Sequence, residues 1–181
     1  MKKRHSFLIF LILIMVAFIS IFLILHHPIK AENIQTYNAT EFGFSFKYSA
    51  DNFLVGNDTN NTDGGWIYVL PIASTKNQAI EEAGAIVISP RKISPSETPL
   101  DWLKSSNSGY DVSQGYETIQ VGGQQAISVK YGKYVDWLIV NTPDNKERLS
   151  IAILPPSATS TDLTVLHNEM ATIVSSLSFE H

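Results

Sequence analysis

The chain begins with an uninterrupted apolar run behind a short cationic tip. From Phe7 to Leu25 there are 19 consecutive residues, and Ser20 is the only polar one among them. A helix of that length is about 29 Å long, close to the thickness of a bilayer's hydrocarbon core. The pattern predicts one transmembrane helix over residues 6–27. Its expected anchor residues are Phe7, Leu11, Ile14, Phe18, Phe22 and Leu25.

A cleaved signal peptide is the alternative for this segment. Signal peptides have an apolar region of only about 7–15 residues, followed by small residues around the cleavage site. The best available site follows Ala31, but the bulky Ile29 stands two positions before it, and Pro28 marks the end of the helix. Span length and cleavage pattern both favour a retained anchor. A long signal peptide would leave the same folded body outside the membrane, but released.

Beyond a polar linker at residues 28–36, the pattern changes from continuous to alternating. Aromatic residues take every second position over residues 42–48, which predicts a half-buried β-strand. Short apolar runs predict further strands at residues 53–55, 66–72 and 85–89. A series of hairpins follows, because short turns separate four more strand patterns. These lie at residues 116–121, 124–131, 134–141 and 147–154.

Two helices are predicted among these strands. Thr98 is the expected N-cap of the first, with Pro99 at its first position and Asp101 able to reach back to the cap. We expect this helix to end at Gly109. The second covers residues 161–179, where apolar residues recur every three or four positions. Strands with one inserted and one terminal helix predict an α+β fold, an antiparallel meander flanked by helices, as one domain over residues 37–181.

Several stretches resemble the PsbP-like domains, which occur in photosystem II and in small exported bacterial proteins. They are the opening "YNATEFGFSFKY", the mid-chain "TPLDWLK", the hairpin "VGGQQAISVKY" and the closing "ATIVSSLSF". The resemblance covers residues 37–179. It implies a central antiparallel sheet between helices, an α/β/α sandwich, and a binding or assembly role rather than a reaction.

Charge fixes the expected orientation and compartment. Lys2, Lys3 and Arg4 precede the apolar run, so the tip at residues 1–5 stays cytoplasmic and the body is extracytoplasmic. The chain has no cysteine, which excludes a lipid-modified cysteine and a disulfide scaffold. From residue 33 onward there are 9 basic and 16 acidic residues, and this acidic balance argues against nucleic-acid binding.

The residues offer little metal chemistry. With only His167 and His181 beyond the linker, no zinc site can be assembled. Residues 59–64 follow the D-x-N-x-D-G spacing of a calcium loop, but with Thr59 first and without the closing glutamate. A turn-rich loop is therefore the stronger interpretation. The alternative is a weak calcium site formed by Asp58, Asn61 and Asp63.

Aromatic residues are the remaining candidates for a site. The three tryptophans could line a ligand groove, although their apolar surroundings favour core packing. These are Trp66, Trp102 and Trp137. Four tyrosines crowd the hairpins and could form an exposed patch for a partner. These are Tyr110, Tyr116, Tyr131 and Tyr134.

Together these patterns predict a single-pass membrane protein, held in the lipid bilayer through residues 7–25. Its extracytoplasmic body is expected to bind or assemble with a partner, such as a protein at the outer membrane face, without a cofactor. The alternative is an extracytoplasmic, hydrolase-like enzyme on the same fold. A pocket with convergent titratable groups would favour the enzyme, and a bare sheet face with exposed aromatic residues would favour the binding protein.

Overall fold

The computed structural model describes residues 32–58, 65–72, 84–105, 108–131, 134–156 and 163–180. The chain divides into two compact units, Met1–Ala31 and Glu32–His181, and the described residues all belong to the second. The predicted transmembrane helix at residues 6–27 lies outside the described residues. Neither helix within the described ranges is long and apolar enough to cross a membrane.

The described residues form ten strands in two antiparallel sheets. The small sheet has the order β1-β2-β10 and the large sheet the order β3-β4-β5-β9-β8-β7-β6. The strands are β1 (Ile34–Ala39), β2 (Phe44–Ser49), β3 (Phe53–Asp58), β4 (Trp66–Pro71), β5 (Ala85–Lys92), β6 (Glu117–Val121), β7 (Gln124–Tyr131), β8 (Tyr134–Asn141), β9 (Glu147–Leu154) and β10 (Ser178–Phe179).

Both helices are short. Helix α1 covers Pro99–Lys104, and the predicted cap is present, because Thr98 Oγ1 accepts a hydrogen bond from the Asp101 N–H at 3.1 Å. The helix ends at Lys104 rather than at Gly109, and the chain is already extended at the C-cap Ser105. Helix α2 covers Leu163–Ser176 and gives way to β10.

One face of the large sheet is buried in the main hydrophobic core. The opposite face is covered by helix α1 over only part of its strands. The buried face packs against β2 of the small sheet and against helix α2 in the main hydrophobic core, which includes Phe44, Ile151 and Leu166. On the opposite face a second hydrophobic cluster joins α1 to β7, β8 and β9. That cluster contains no described residue of β3, β4 or β5. Helix α1 therefore packs on the half of this face formed by β7, β8 and β9, and not on the half formed by β3, β4 and β5.

The predicted fold class is wrong. We expected one antiparallel sheet between helices, an α/β/α sandwich, but the described chain is mostly β-structure in two antiparallel sheets. The aromatic strand β2 pairs with β1 and β10 instead of joining the hairpins. β1 itself begins at Ile34, within the segment expected to be linker. Alternation shows that a strand has one buried face, but it does not show which strands lie beside it.

Candidate functional site

A set of large apolar side chains lies exposed or half-buried on the second face of the large sheet. We call this surface the open face. Leu54 on β3 is 50% exposed, and the other members are half-buried. The open face consists of Leu54, Trp66, Tyr68, Leu70 and Val87.

Strand periodicity explains why these residues share one face. On β4, Ile67 and Val69 are buried in the main core, so the alternate residues Trp66 and Tyr68 lie on the other side. Register then aligns the neighbouring strands, because Tyr68 pairs with Val87 of β5. The surface is thus held by backbone pairing within a rigid sheet rather than by a loop.

The aromatic pair at its centre combines ring surface with polar groups. The ring centroids of Trp66 and Tyr68 are 6.0 Å apart, with a 50° angle between the planes. Burial raises the pKa of Tyr68, and the charge of Asp58 raises it further, so the phenol stays a hydrogen-bond donor. Among the described residues, neither Trp66 Nε1 nor the Ser89 hydroxyl has a hydrogen-bond partner. Both atoms are buried, and leaving a buried polar group unpaired costs about 1–3 kcal/mol.

A buried charge borders the open face, between β5 and the second hydrophobic cluster. Arg148 on β9 is only 4% exposed, and its Nη2 is 2.5 Å from Glu97 Oε2. Its guanidinium lies 4.8 Å from the ring centre of Trp102, which meets Trp137 edge to face at 5.4 Å. The Trp137 indole in turn donates to Ser150 Oγ at 2.5 Å. These contacts fix the position of α1 on the sheet.

A separate cleft lies at the β8–β9 turn. It has a volume of about 600 Å³ between the β1–β2 connection, the β8–β9 turn and the residue after β10. Its charged lining residues are Glu41, Asp144, Lys146, Glu147 and Glu180.

The pKa values of Asp144 and Glu147 in this cleft are shifted in opposite directions. Hydrogen bonds from the Thr142 hydroxyl and from Lys146 hold the pKa of Asp144 at about 2. Burial raises the pKa of Glu147, and the charge of Asp144 adds to that effect. Asp144 therefore shapes the β8–β9 turn. Glu147 also has a buried Oε2 with no hydrogen-bond partner among the described residues.

The structure separates the three tryptophans that sequence reasoning grouped. Trp102 and Trp137 pack in the second hydrophobic cluster, in agreement with the core interpretation. Trp66 instead lies half-buried on the open face. For this residue the core interpretation, which the sequence favoured over a ligand groove, does not describe its position. The shared apolar surroundings of the tryptophans could not distinguish the two environments.

The tyrosines do not form one described patch. Tyr110 is buried in the second cluster, whereas Tyr116 is 39% exposed. The side chains of Tyr131 and Tyr134 lie outside the described residues. His167 on helix α2 is partly exposed, and its Nε2 lies 3.3 Å from Asp136 Oδ2.

The weak calcium site stays a prediction. Asp58 ends β3 opposite Trp66, whereas Asn61 and Asp63 lie outside the described residues. Within the described ranges, no group of three or more potential metal ligands comes together.

Sequence reasoning missed most of the open face. Leu54, Tyr68 and Val87 were interpreted only as parts of strands. The available signal was β4 itself, because the run from Trp66 to Leu70 is apolar at both alternating sets of positions. Such a strand needs a partner on both faces, or it leaves one face exposed.

Comparisons with known proteins were made on the whole chain. No protein-family model matches it, and no curated protein or solved structure matches it. The resemblance to the PsbP-like domains therefore stays a prediction, and function has to be argued from the geometry.

Proposed function

We propose that this chain is a membrane-anchored binding protein that holds a protein partner on the open face, at the outer side of the membrane. The observation that carries the proposal is the group of large apolar side chains left exposed or half-buried on β3, β4 and β5. The anchor is the apolar run from Phe7 to Leu25, with the folded body beyond it on the extracytoplasmic side.

The composition of the open face supports a protein partner. Interface centres are rich in aromatic residues and poor in charged ones, and tryptophan and tyrosine often carry most of the binding energy. Trp66 and Tyr68 supply such residues beside the exposed Leu54. Arg91, which is exposed at the end of β5, adds a charge at the rim.

Site-specific photocrosslinking in native membranes tests this proposal. A photoreactive residue at position 54 should yield a defined adduct, because that side chain is 50% exposed on the open face. Position 165 is the matched control, since Val165 is a similarly exposed apolar residue (43%) on helix α2. Adding Tyr68→Arg should abolish the adduct at position 54, and a cooperative thermal transition checks that the variant stays folded. Equal adducts at both positions, or an adduct that survives Tyr68→Arg, would contradict the proposal.

The anchor is tested by alkaline extraction of membranes and by the mature amino terminus. The chain should stay in the membrane fraction with residues 1–31 intact. A mature chain that starts near Glu32 would instead indicate a released binding protein, while leaving the open face as its site.

A hydrolase-like enzyme is the second candidate, and the acidic cleft is the observation that favours it. Two neighbouring carboxyl groups with opposed pKa shifts, Asp144 lowered and Glu147 raised, are typical of acid–base pairs. The enzyme hypothesis is weaker because Asp144 accepts its hydrogen bonds from Thr142 and Lys146 within the β8–β9 turn. These bonds give its lowered pKa a structural explanation. Any hydrolase activity found should be lost in Glu147→Gln and kept in Tyr68→Arg. Activity that is kept in Glu147→Gln and lost in Tyr68→Arg would exclude this cleft as the active site.

A further inference from the structure

The edge of β2 that faces away from β1 is covered partly by β10 and partly by side chains of helix α2. β10 pairs with only two residues of β2, Phe44 and Ser45. Beyond that point, the backbone N–H groups of Lys47 and Ser49 face the same edge, since alternate residues of a strand share one side. An edge strand with unpaired backbone groups is a template for another strand.

Side chains of helix α2 occupy the remaining edge. Ser176 Oγ accepts a hydrogen bond from the Lys47 N–H at 2.9 Å. Glu169 Oε1 accepts one from the Ser49 N–H, also at 2.9 Å. Glu169 is only 4% exposed and Ser49 only 1%, so this second bond is shielded from water. The helix thus provides two of the acceptors that a neighbouring strand would provide.

Strand β1 forms the other edge of the small sheet among the described strands. It is largely exposed, and Ile34 is 43% exposed. Within one chain β1 and β2 already pair over six residues, from Ile34 opposite Ser49 to Ala39 opposite Phe44.

We propose that Glu169 and Ser176 of helix α2 guard the β2 edge against strand addition by β1 of a second copy of this chain. The occupant is a second copy because each molecule carries both complementary edges of one small sheet. Such a contact joins different surfaces, so it repeats from molecule to molecule instead of closing as a dimer. This inference goes beyond the proposed function and does not use the open face.

Residue-resolved hydrogen exchange on the full chain, purified in a non-ionic detergent, tests the two acceptors separately. Ser176→Ala should raise exchange at the Lys47 amide by roughly five- to tenfold and leave the Ser49 amide unchanged. Glu169→Leu should do the reverse. Glu169→Gln keeps an acceptor oxygen and should restore protection at Ser49.

Ser175→Ala is the matched control, because the Ser175 hydroxyl bonds to the Thr172 carbonyl within the helix and does not reach β2. It should change exchange at neither amide. Unchanged protection of Lys47 in Ser176→Ala would overturn the assignment of the guard. This test survives even if Glu169→Leu does not fold. Ser176→Ala removes only the hydrogen bonds of one hydroxyl, which accepts from the Lys47 N–H and donates to the Thr172 and Ile173 carbonyls.

Self-association is then measured by size-exclusion chromatography with light scattering. The double variant Glu169→Leu, Ser176→Ala, which removes both acceptors, should form concentration-dependent oligomers, whereas Ser175→Ala should match the unmodified chain. Adding Ile34→Pro, which disrupts β1 as a pairing edge, should suppress the oligomers. Increased exchange without self-association, or oligomers that persist with Ile34→Pro, would refute the second copy as the occupant.

Discussion

Replacing Glu97 by alanine tests the buried charge beside the open face. In the folded chain the Arg148 guanidinium lies 2.5 Å from the Glu97 carboxylate and 4.8 Å from the ring centre of Trp102. Burial lowers the pKa of Arg148, and the hydrogen bond and charge of Glu97 oppose that effect. Without Glu97, a side chain that is only 4% exposed keeps its aromatic contact but loses its counterion.

The expected loss depends on the burial of the two partners. Removing one member of a fully buried pair costs about 3–5 kcal/mol. Glu97 is 33% exposed, so water screens part of the interaction. We therefore expect a decrease of about 2–3 kcal/mol in the free energy of unfolding. For a chain of this length that corresponds to a Tm lower by roughly 4–12 °C.

Urea and thermal unfolding of the full chain measure this effect in a double-mutant cycle. Arg148→Met removes the charge and fills a similar volume, so Glu97 then has no buried partner. In the Arg148→Met background, Glu97→Ala should cost less than about 0.5 kcal/mol. Lys146→Ala is the control, because the Lys146–Asp144 ion pair is exposed and its loss should leave Tm unchanged. Equal losses from Glu97→Ala in both backgrounds would refute a stabilising charge pair.

Three further substitutions test packing, protonation and capping by thermal unfolding. Gly122→Ala places a Cβ 2.8 Å from the Phe179 ring and should cost about 1–3 kcal/mol; Gly123→Ala shares the positive φ but meets open space, and an equal loss there would argue against the clash. Burial raises the pKa of Glu169, so the folded state binds more protons than the unfolded state and stability falls as pH rises above about 4.5. Glu169→Gln should lack that fall, and parallel pH profiles for the two proteins would contradict the assignment. Thr98→Ala removes the cap of α1 and should cost about 1 kcal/mol, a loss that Thr98→Ser should largely avoid.

Local chemistry made part of the fold predictable. The alternation on β2 and the turns between β6 and β9 predicted strands where the structure has them. The cap at Thr98 formed as expected, because its partners lie within one turn of the helix. The predicted end of α1 at Gly109 was wrong. After Lys104 the Ser105 and Ser108 hydroxyls donate hydrogen bonds to the carbonyls of Trp102 and Leu103.

The candidate site was predictable only as a set of separate residues. Sequence reasoning named Trp66 as a possible ligand-binding residue, but Trp102 and Trp137 had the same kind of neighbours. What separates them is the position of α1, which covers one half of the sheet face through its contacts with β7 and β8. That position depends on Arg148 and Glu97, which are 51 residues apart in the chain.

The sequence by itself determined the positions of β2 to β9 and the start of α1, because periodicity, turns and caps act between residues a few positions apart. It also determined the apolar run from Phe7 to Leu25 and the acidic balance of residues 33–181. It did not predict β1 or β10. Only the tertiary structure decided that β2 belongs to a second sheet and that Trp66, Tyr68 and Leu54 share an open face. Strand neighbours and face coverage depend on contacts between distant segments, and the alternation of a single strand is the same whichever partner it meets.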